Sequence, residues 1–211
     1  ENFKQVRQRI ILAAERAGRD PADVRLVAVT KELSTALVAE GLRSGSEIFG
    51  ENKIQDAKDK IETLGHDGIE WHFIGHLQKN KVKFIFDLFD LIHSVDSLAL
   101  AEAIHEKAED LGLCMPILLQ VNVSGESSKF GVDPKNVMEV IRKVTSFKGL
   151  KIRGLMTISP YDQDPEKSRP YYFRLRELRD TCSKLAIPGL SLDELSMGMS
   201  NDYEVAVEEG S

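Results

Sequence analysis

Seven short apolar runs punctuate the chain, with amphipathic stretches between them. The runs are Leu26–Lys31 (LVAVTK), Ile48–Asn52 (IFGEN), Trp71–Gly75 (WHFIG), Leu91–Val95 (LIHSV), Ile117–Val123 (ILLQVNV), Ile152–Ser159 (IRGLMTIS) and Leu192–Gly198 (LDELSMG). Each has the length and partial β-branching of a buried strand. Ahead of them, Phe3, Val6, Ile10, Ile11 and Ala14 recur at helical spacing, which predicts an extra N-terminal helix over about 2–18. Further helices are marked by their ends. Ser34 can cap 35–43, and Ser97 can cap 98–111 before Gly112. Asp133-Pro134 opens one towards Phe147, and Pro165 opens a long one towards Leu185 with Pro170 as a misfit inside it. The tail 201–209 also reads as a helix.

Strands alternating with helices predict parallel pairing and right-handed crossovers. The strand starts recur every 20–41 residues, a spacing that suits a (β/α)8 barrel, with a doubly wound sheet as the alternative. Without a linker or a break in composition, 1–211 reads as one α/β domain. Seven strands are one short of closure, so the last strand is expected to be missing from the chain.

Composition is that of an ordinary folded protein, so whole-chain disorder is excluded. The net charge of −6 argues against nucleic-acid binding, which needs a concentrated basic surface. No apolar run approaches the length that spans a bilayer, and no secretory signal opens the chain. Two cysteines, Cys114 and Cys182, give neither a disulfide framework nor a zinc ligand set. A cytoplasmic protein is expected.

In a parallel barrel the C-terminal strand ends form the site. The polar residues there are Lys31, Asn52, His76, Ser94, Asn122, Thr157 and Ser196. Alternation puts Lys31 on the face of Val27 and Val29. If that face is the interior, the amine is partly desolvated and suited to Schiff-base chemistry. From position alone, a solvated lysine opening a loop is the plainer reading. The segment Ser196–Asp202 (SMGMSND) leads from a strand towards a helix. Ser200 can cap that helix, Gly198 permits close backbone approach, and free amides there suit a phosphate. An ordinary capped helix explains the same residues. His72 and His76 lack the company of a metal site, so His72 reads as structural and His76 as a residue of the pocket mouth. Lys79, Lys81 and Lys83 form a basic run that suits a solvated face or an anion contact. Ser124–Gly131 is a polar loop that can rim the site. Asn52 can face a ligand ring or cap a helix.

Together these stretches resemble the YggS/PROSC family, the pyridoxal phosphate homeostasis proteins. The matching motifs are AVTK ending at Lys31, FGEN with Asn52, WHFIGHLQKNK from Trp71, SVD from Ser94, VNVSGESSKFG from Val121, GLMTI from Gly154 and LSMGMSNDYEVAVEEGS from Leu195. They follow the family's order over nearly the whole chain. The resemblance implies an alanine-racemase-like barrel holding pyridoxal 5′-phosphate as a Schiff base on Lys31. It implies phosphate contacts from Ser196, Gly198, Met199 and Ser200, with Asn52 near the ring. The family continues past the final GS into a strand of the type TMVRIG, and that departure is where the eighth strand is expected. The function implied is intracellular homeostasis and delivery of the cofactor to apo-enzymes, without robust turnover, by a monomer or weak dimer. A racemase or related enzyme completed by a partner chain is the alternative, and a cofactor-free Schiff-base aldolase is a third. Only His76 stands at a strand end as a group titrating near neutral pH.

Overall fold

Every expected strand forms, and all of them enter one sheet in chain order. The computed structural model describes residues 3–126 and 128–211. The strands are β1 (Ala28–Val29), β2 (Ile48–Glu51), β3 (Glu70–Phe73), β4 (Leu91–Val95), β5 (Met115–Gln120), β6 (Leu150–Met156) and β7 (Glu194–Ser196). Their order is sequential, and every neighbouring pair is parallel. The helices are α1 (Phe3–Arg16), α2 (Thr35–Arg43), α3 (Ile54–Leu64), α4 (Leu98–Leu111), α5 (Val137–Val144), α6 (Arg169–Ser183) and α7 (Tyr203–Glu208). This is the strand–helix alternation of a (β/α) barrel with seven strands in place.

Alternation along β5 separates the two faces. Ile117 and Leu119 join the large core beneath the helices, with Phe49, Trp71, Ile92, Ile104, Ile141 and Leu175. Leu118, between them, joins Leu91 and Met156 in a small cluster on the inner face. Gly154 lets β6 meet β7 closely, since a Cβ there would lie 1.8 Å from the Glu194 carbonyl oxygen.

The caps follow the sequence with exceptions. Ser97 accepts from the Leu100 amide, and Gly112 ends α4 in the left-handed region. Ser34 occupies the cap of α2 but makes no side-chain cap bond. Pro170 is no kink: a one-turn helix at Pro165–Ser168 precedes α6, and Pro170 falls in the first turn of α6, where no amide is needed. Asn52 does not cap α3, because Lys53 holds that position. β1 is two residues rather than the six of the apolar run, being bonded on one side only.

Candidate functional site

Parallel strands place all their C-terminal ends on one rim, and the expected site residues lie along it. Lys31 follows β1 in a turn that includes Glu32 at φ 64°, a conformation rare outside glycine. The Thr30 amide bonds to the Gly50 carbonyl, so continuing the β1–β2 register puts Lys31 level with Asn52. Of the two readings of Lys31, the structure has the plainer one, a solvated lysine opening a loop. The chain leaves the sheet after Val29, and the side chain is exposed rather than sunk in the interior.

What fixes the turn lies beneath it. Glu51, fully buried, accepts from the Thr30 hydroxyl at 2.7 Å and from Lys60 Nζ at 2.5 Å. Lys60 also donates to the Thr30 carbonyl at 2.6 Å. Ala57, Lys60 and Ile61 share the buried face of α3, so the ammonium reaches inward from a helix side. The sequence reading missed this pair, and the i, i+3, i+4 spacing was the signal that could have found it.

On the far side of the sheet the Ser196–Asp202 segment behaves differently from its expected form. Ser200 is exposed and caps nothing; Asp202 is the N-cap. The buried Asp202 carboxylate accepts from the Met199 amide at 2.6 Å, the Tyr172 hydroxyl at 2.7 Å and the Ser168 hydroxyl at 2.8 Å. That anchoring makes the chain turn at 199–202 before the helix begins. Burial, with the Asp202 charge beside it, pushes the Tyr172 phenol above its ordinary range. The Met199 amide is therefore engaged, while among the described residues the amides of Gly198, Ser200 and Asn201 take no partner within the chain. Gly198 sits at φ 95°, where a Cβ would lie 2.7 Å from that of Ala206. Ser196 Oγ lies 2.8 Å from His93 Nδ1.

Two expected residues also border a second cleft. Asn52 and His76 line a cleft of about 780 Å³ between α3 and a helical turn at Lys79–Phe84. Lys81 and Lys83 of the basic run line it too, both near the face of Phe84. His76 Nδ1 lies 3.2 Å from Asp96, and its ring stacks on Phe130 with centroids 3.9 Å apart. Asn52 Oδ1 is buried without a partner. The loop 124–131 is tied down by Asn122, whose amide accepts from Ser124 and Gly125 and donates to Glu126 and Lys129; Ser127 lies outside the described residues. Buried Thr157 donates to the Val121 carbonyl, and buried Ser94 Oγ has no partner.

The inner face holds an arrangement the sequence did not reveal. His93 Nε2 lies 2.9 Å from His72 Nδ1, and His72 Nε2 lies 3.3 Å from Glu70. Burial holds both imidazoles below their ordinary range. Glu70 opposes this for His72, whereas His72 and Arg25 push His93 lower still. Burial pushes Glu70 up, but its bond to Arg25 and the charges of Arg25 and His72 outweigh that and hold it below the usual carboxylate range. Among the described residues no group of three or more His, Cys, Asp or Glu is placed to hold a metal, and no helix is long and apolar enough to cross a membrane.

The donor set fits an aldehyde-bearing phosphate ester such as pyridoxal phosphate. It offers one exposed primary amine on the rim, a hydroxyl and three unpartnered amides around a left-handed glycine, and a buried amide oxygen level with the amine.

The family description "Alanine racemase, N-terminal domain" matches residues 2–209. The pyridoxal phosphate homeostasis protein of Aquifex aeolicus is 41% identical over 210 residues, which is all of this chain and 91% of that protein. Its namesake in Escherichia coli is 36% identical over 214 residues, all of this chain and 90% of that protein. The solved structure of PipY from Synechococcus elongatus with PLP bound superposes with a TM-score of 0.83 at 36% identity, covering 98% of this chain and 94% of that one. An alanine racemase from Clostridium difficile superposes with a TM-score of 0.72 at 14% identity, over 98% of this chain and 51% of that one, a likeness of fold alone. Fold and sequence thus define an alanine racemase N-terminal-type barrel. Within that class, the chain belongs to the family of pyridoxal phosphate homeostasis proteins.

Proposed function

We propose that this chain holds pyridoxal 5′-phosphate on its rim through Lys31 and serves cytoplasmic homeostasis and delivery of that cofactor to apo-enzymes. The observation that carries the reading is the shared rim: an exposed lysine on a turn fixed from below by Thr30, Glu51 and Lys60, and the free backbone amides of Gly198, Ser200 and Asn201 after β7. The cofactor, when bound, supplies an aldehyde that condenses reversibly with a primary amine. Lys31 offers that amine. The Ser196 hydroxyl and the amides of Gly198, Ser200 and Asn201 offer hydrogen bonds to phosphate oxygens. Met199 acts through the turn, its own amide being held by Asp202. Asn52, level with Lys31 in the strand register, offers its free amide oxygen, and His76, braced by Asp96 and Phe130, edges the opening. The whole of 1–211 serves this as one domain, a reading supported by the large core that the strands share with α2–α7 and by the packing of α1 on α7.

Storage and release, rather than turnover, is supported by the names of the relatives, the pyridoxal phosphate homeostasis proteins of Aquifex aeolicus and Escherichia coli, which this chain covers to about nine-tenths of their length.

The test is the visible absorption spectrum of protein mixed with pyridoxal phosphate, run beside Lys31→Ala. The expected result is a band in the parent that the variant lacks, with borohydride fixing the cofactor to the peptide containing Lys31. A folded parent that gives no such band overturns the reading. Racemisation of an amino acid that depends on Lys31 would replace the carrier with an enzyme.

A further inference from the structure

A chain of hydrogen bonds runs along the inner face of the sheet, from the rim to the opposite end. It starts at Ser196 on β7, crosses His93 on β4 and His72 on β3, and ends at Glu70, which is bonded to Arg25. Both histidines are 3% exposed, whereas the Glu70 side chain is 52% exposed.

Proton counting gives this chain a direction. A neutral imidazole has one donor and one acceptor, and an ionised carboxylate only accepts. Glu70, kept ionised by Arg25, therefore takes a proton from His72 Nε2. His72 Nδ1 then has to accept, so His93 Nε2 carries a proton and His93 Nδ1 accepts in turn. The Ser196 hydroxyl is left to donate to His93. In this neutral state Ser196 shows only lone pairs to the rim and has nothing to give an anion. One added proton reverses the arrangement. His93 gains it at Nδ1 and passes its Nε2 proton to His72 Nδ1. His72 becomes the imidazolium, bonded to Glu70 and His93 together. Ser196 then accepts from His93 and turns its O–H to the rim.

We propose that phosphate binding at Ser196 is coupled to uptake of one solvent proton by the His72–His93 pair, which makes His93 the positioning residue for the Ser196 hydroxyl. This rests on the reading of Ser196–Asn201 as a phosphate site. The surrounding charges agree with an unloaded pair when no anion is present. Arg25, ahead of β1, disfavours the cation on both rings, while Glu70 and, more weakly, Asp90 ahead of β4 favour it on His72. Glu194 on β7 is drawn to Arg25 and Arg153 and is not free to compensate. β2 puts no charge opposite His72, where Gly50 stands. Burial decides the balance, and a phosphate dianion at Ser196 supplies the charge that is lacking.

The test uses the full chain with 15N-labelled histidine and pyridoxine 5′-phosphate, a phosphate ester that lacks the aldehyde. At pH 8 such an ester is dianionic in solution, its second pKa being about 6. The expected result is that the His93 Nδ1 signal changes from a bare to a protonated nitrogen in step with binding. Calorimetry in buffers of different ionisation heat compares the parent with His93→Gln, whose side-chain amide can donate to Ser196 without a proton. The variant is expected to bind the ester with about one proton fewer taken up. Binding with His93 Nδ1 still bare, the phosphate keeping any proton itself, overturns the coupling and leaves the phosphate site standing. No binding of the ester to folded parent overturns the coupling together with the phosphate reading beneath it. If His93→Gln does not fold, the nitrogen signals of the parent decide alone.

Discussion

The Lys31 turn rests on a carboxylate with no exposed surface. Glu51 Oε1 gathers the Thr30 hydroxyl and the Lys60 ammonium, while Oε2 is left without a partner. A buried ion pair of this kind adds little net stability against an apolar pair of the same shape, but removing one partner strands the other's charge. Lys60→Met is therefore expected to lower unfolding free energy by about 3–5 kcal/mol, read from urea midpoints. Adding Glu51→Leu is expected to recover most of that. An unchanged midpoint for Lys60→Met would mean that Glu51 is satisfied by something other than Lys60. Residue by residue, the sequence announced the rim and hid its supports. Lys31, Asn52 and Ser196 stand at strand ends, where polar residues signal function. Glu51, Lys60 and Asp202 look like surface charges, because a one-dimensional pattern does not show that a partner waits inside. His72 and His93 read as mid-strand histidines, and only the β3–β4 pairing brings their rings to 4.9 Å.

At the scale of elements, close strand approach is the constraint most exposed to test. Gly154 faces the Glu194 backbone so tightly that an added methyl would overlap the carbonyl oxygen. Gly154→Ala is expected to cost about 1–3 kcal/mol by overpacking and to push β7, with Ser196 at its end, away from β6. A lower midpoint with weaker binding of a phosphate ester is the expected pair of results; a lower midpoint with binding intact would place the strain elsewhere. The strands were legible because buried parallel strands are continuous apolar runs. Helices with a serine cap, a proline or a terminal glycine were legible for the same reason that those residues end helices. α3 is marked only at its end, by Gly65 at φ 73°, its N-cap being Lys53 without a side-chain bond. The cap of α7 was misplaced by two residues, since Ser200 and Asp202 are both good cap types. Only the buried partners Ser168 and Tyr172 select the aspartate.

Across the whole molecule, charge ties the first element to the last. α1 packs on α7 through Ile10, Ala13, Ala14 and Val207. Arg16 pairs with Glu204 and Glu208, and Arg169 with Glu208 and Glu209. Bonds to Arg169 and Arg16, which outweigh burial, hold Glu208 below the usual carboxylate range. This seam and the inner histidine chain set two separate windows of acid sensitivity. His72 and His93 titrate lower in the folded protein than in the unfolded chain, so the unfolded chain binds more protons once the pH drops to about 6.5. Stability therefore starts to fall there and continues to fall towards the folded values. Glu208 and Glu70 are also lower when folded, so their contribution is present above the ordinary glutamate value of 4.5 and is lost as the pH falls below it. Denaturant midpoints measured from pH 8 to pH 4 are expected to decline in two stages. His93→Gln is expected to shrink the first stage and keep the second. Saturating pyridoxine 5′-phosphate is expected to shrink the first as well, because a loaded histidine pair already carries the proton that the unfolded chain would otherwise take up. A first stage unmoved by either the variant or the ester would separate acid stability from the inner chain.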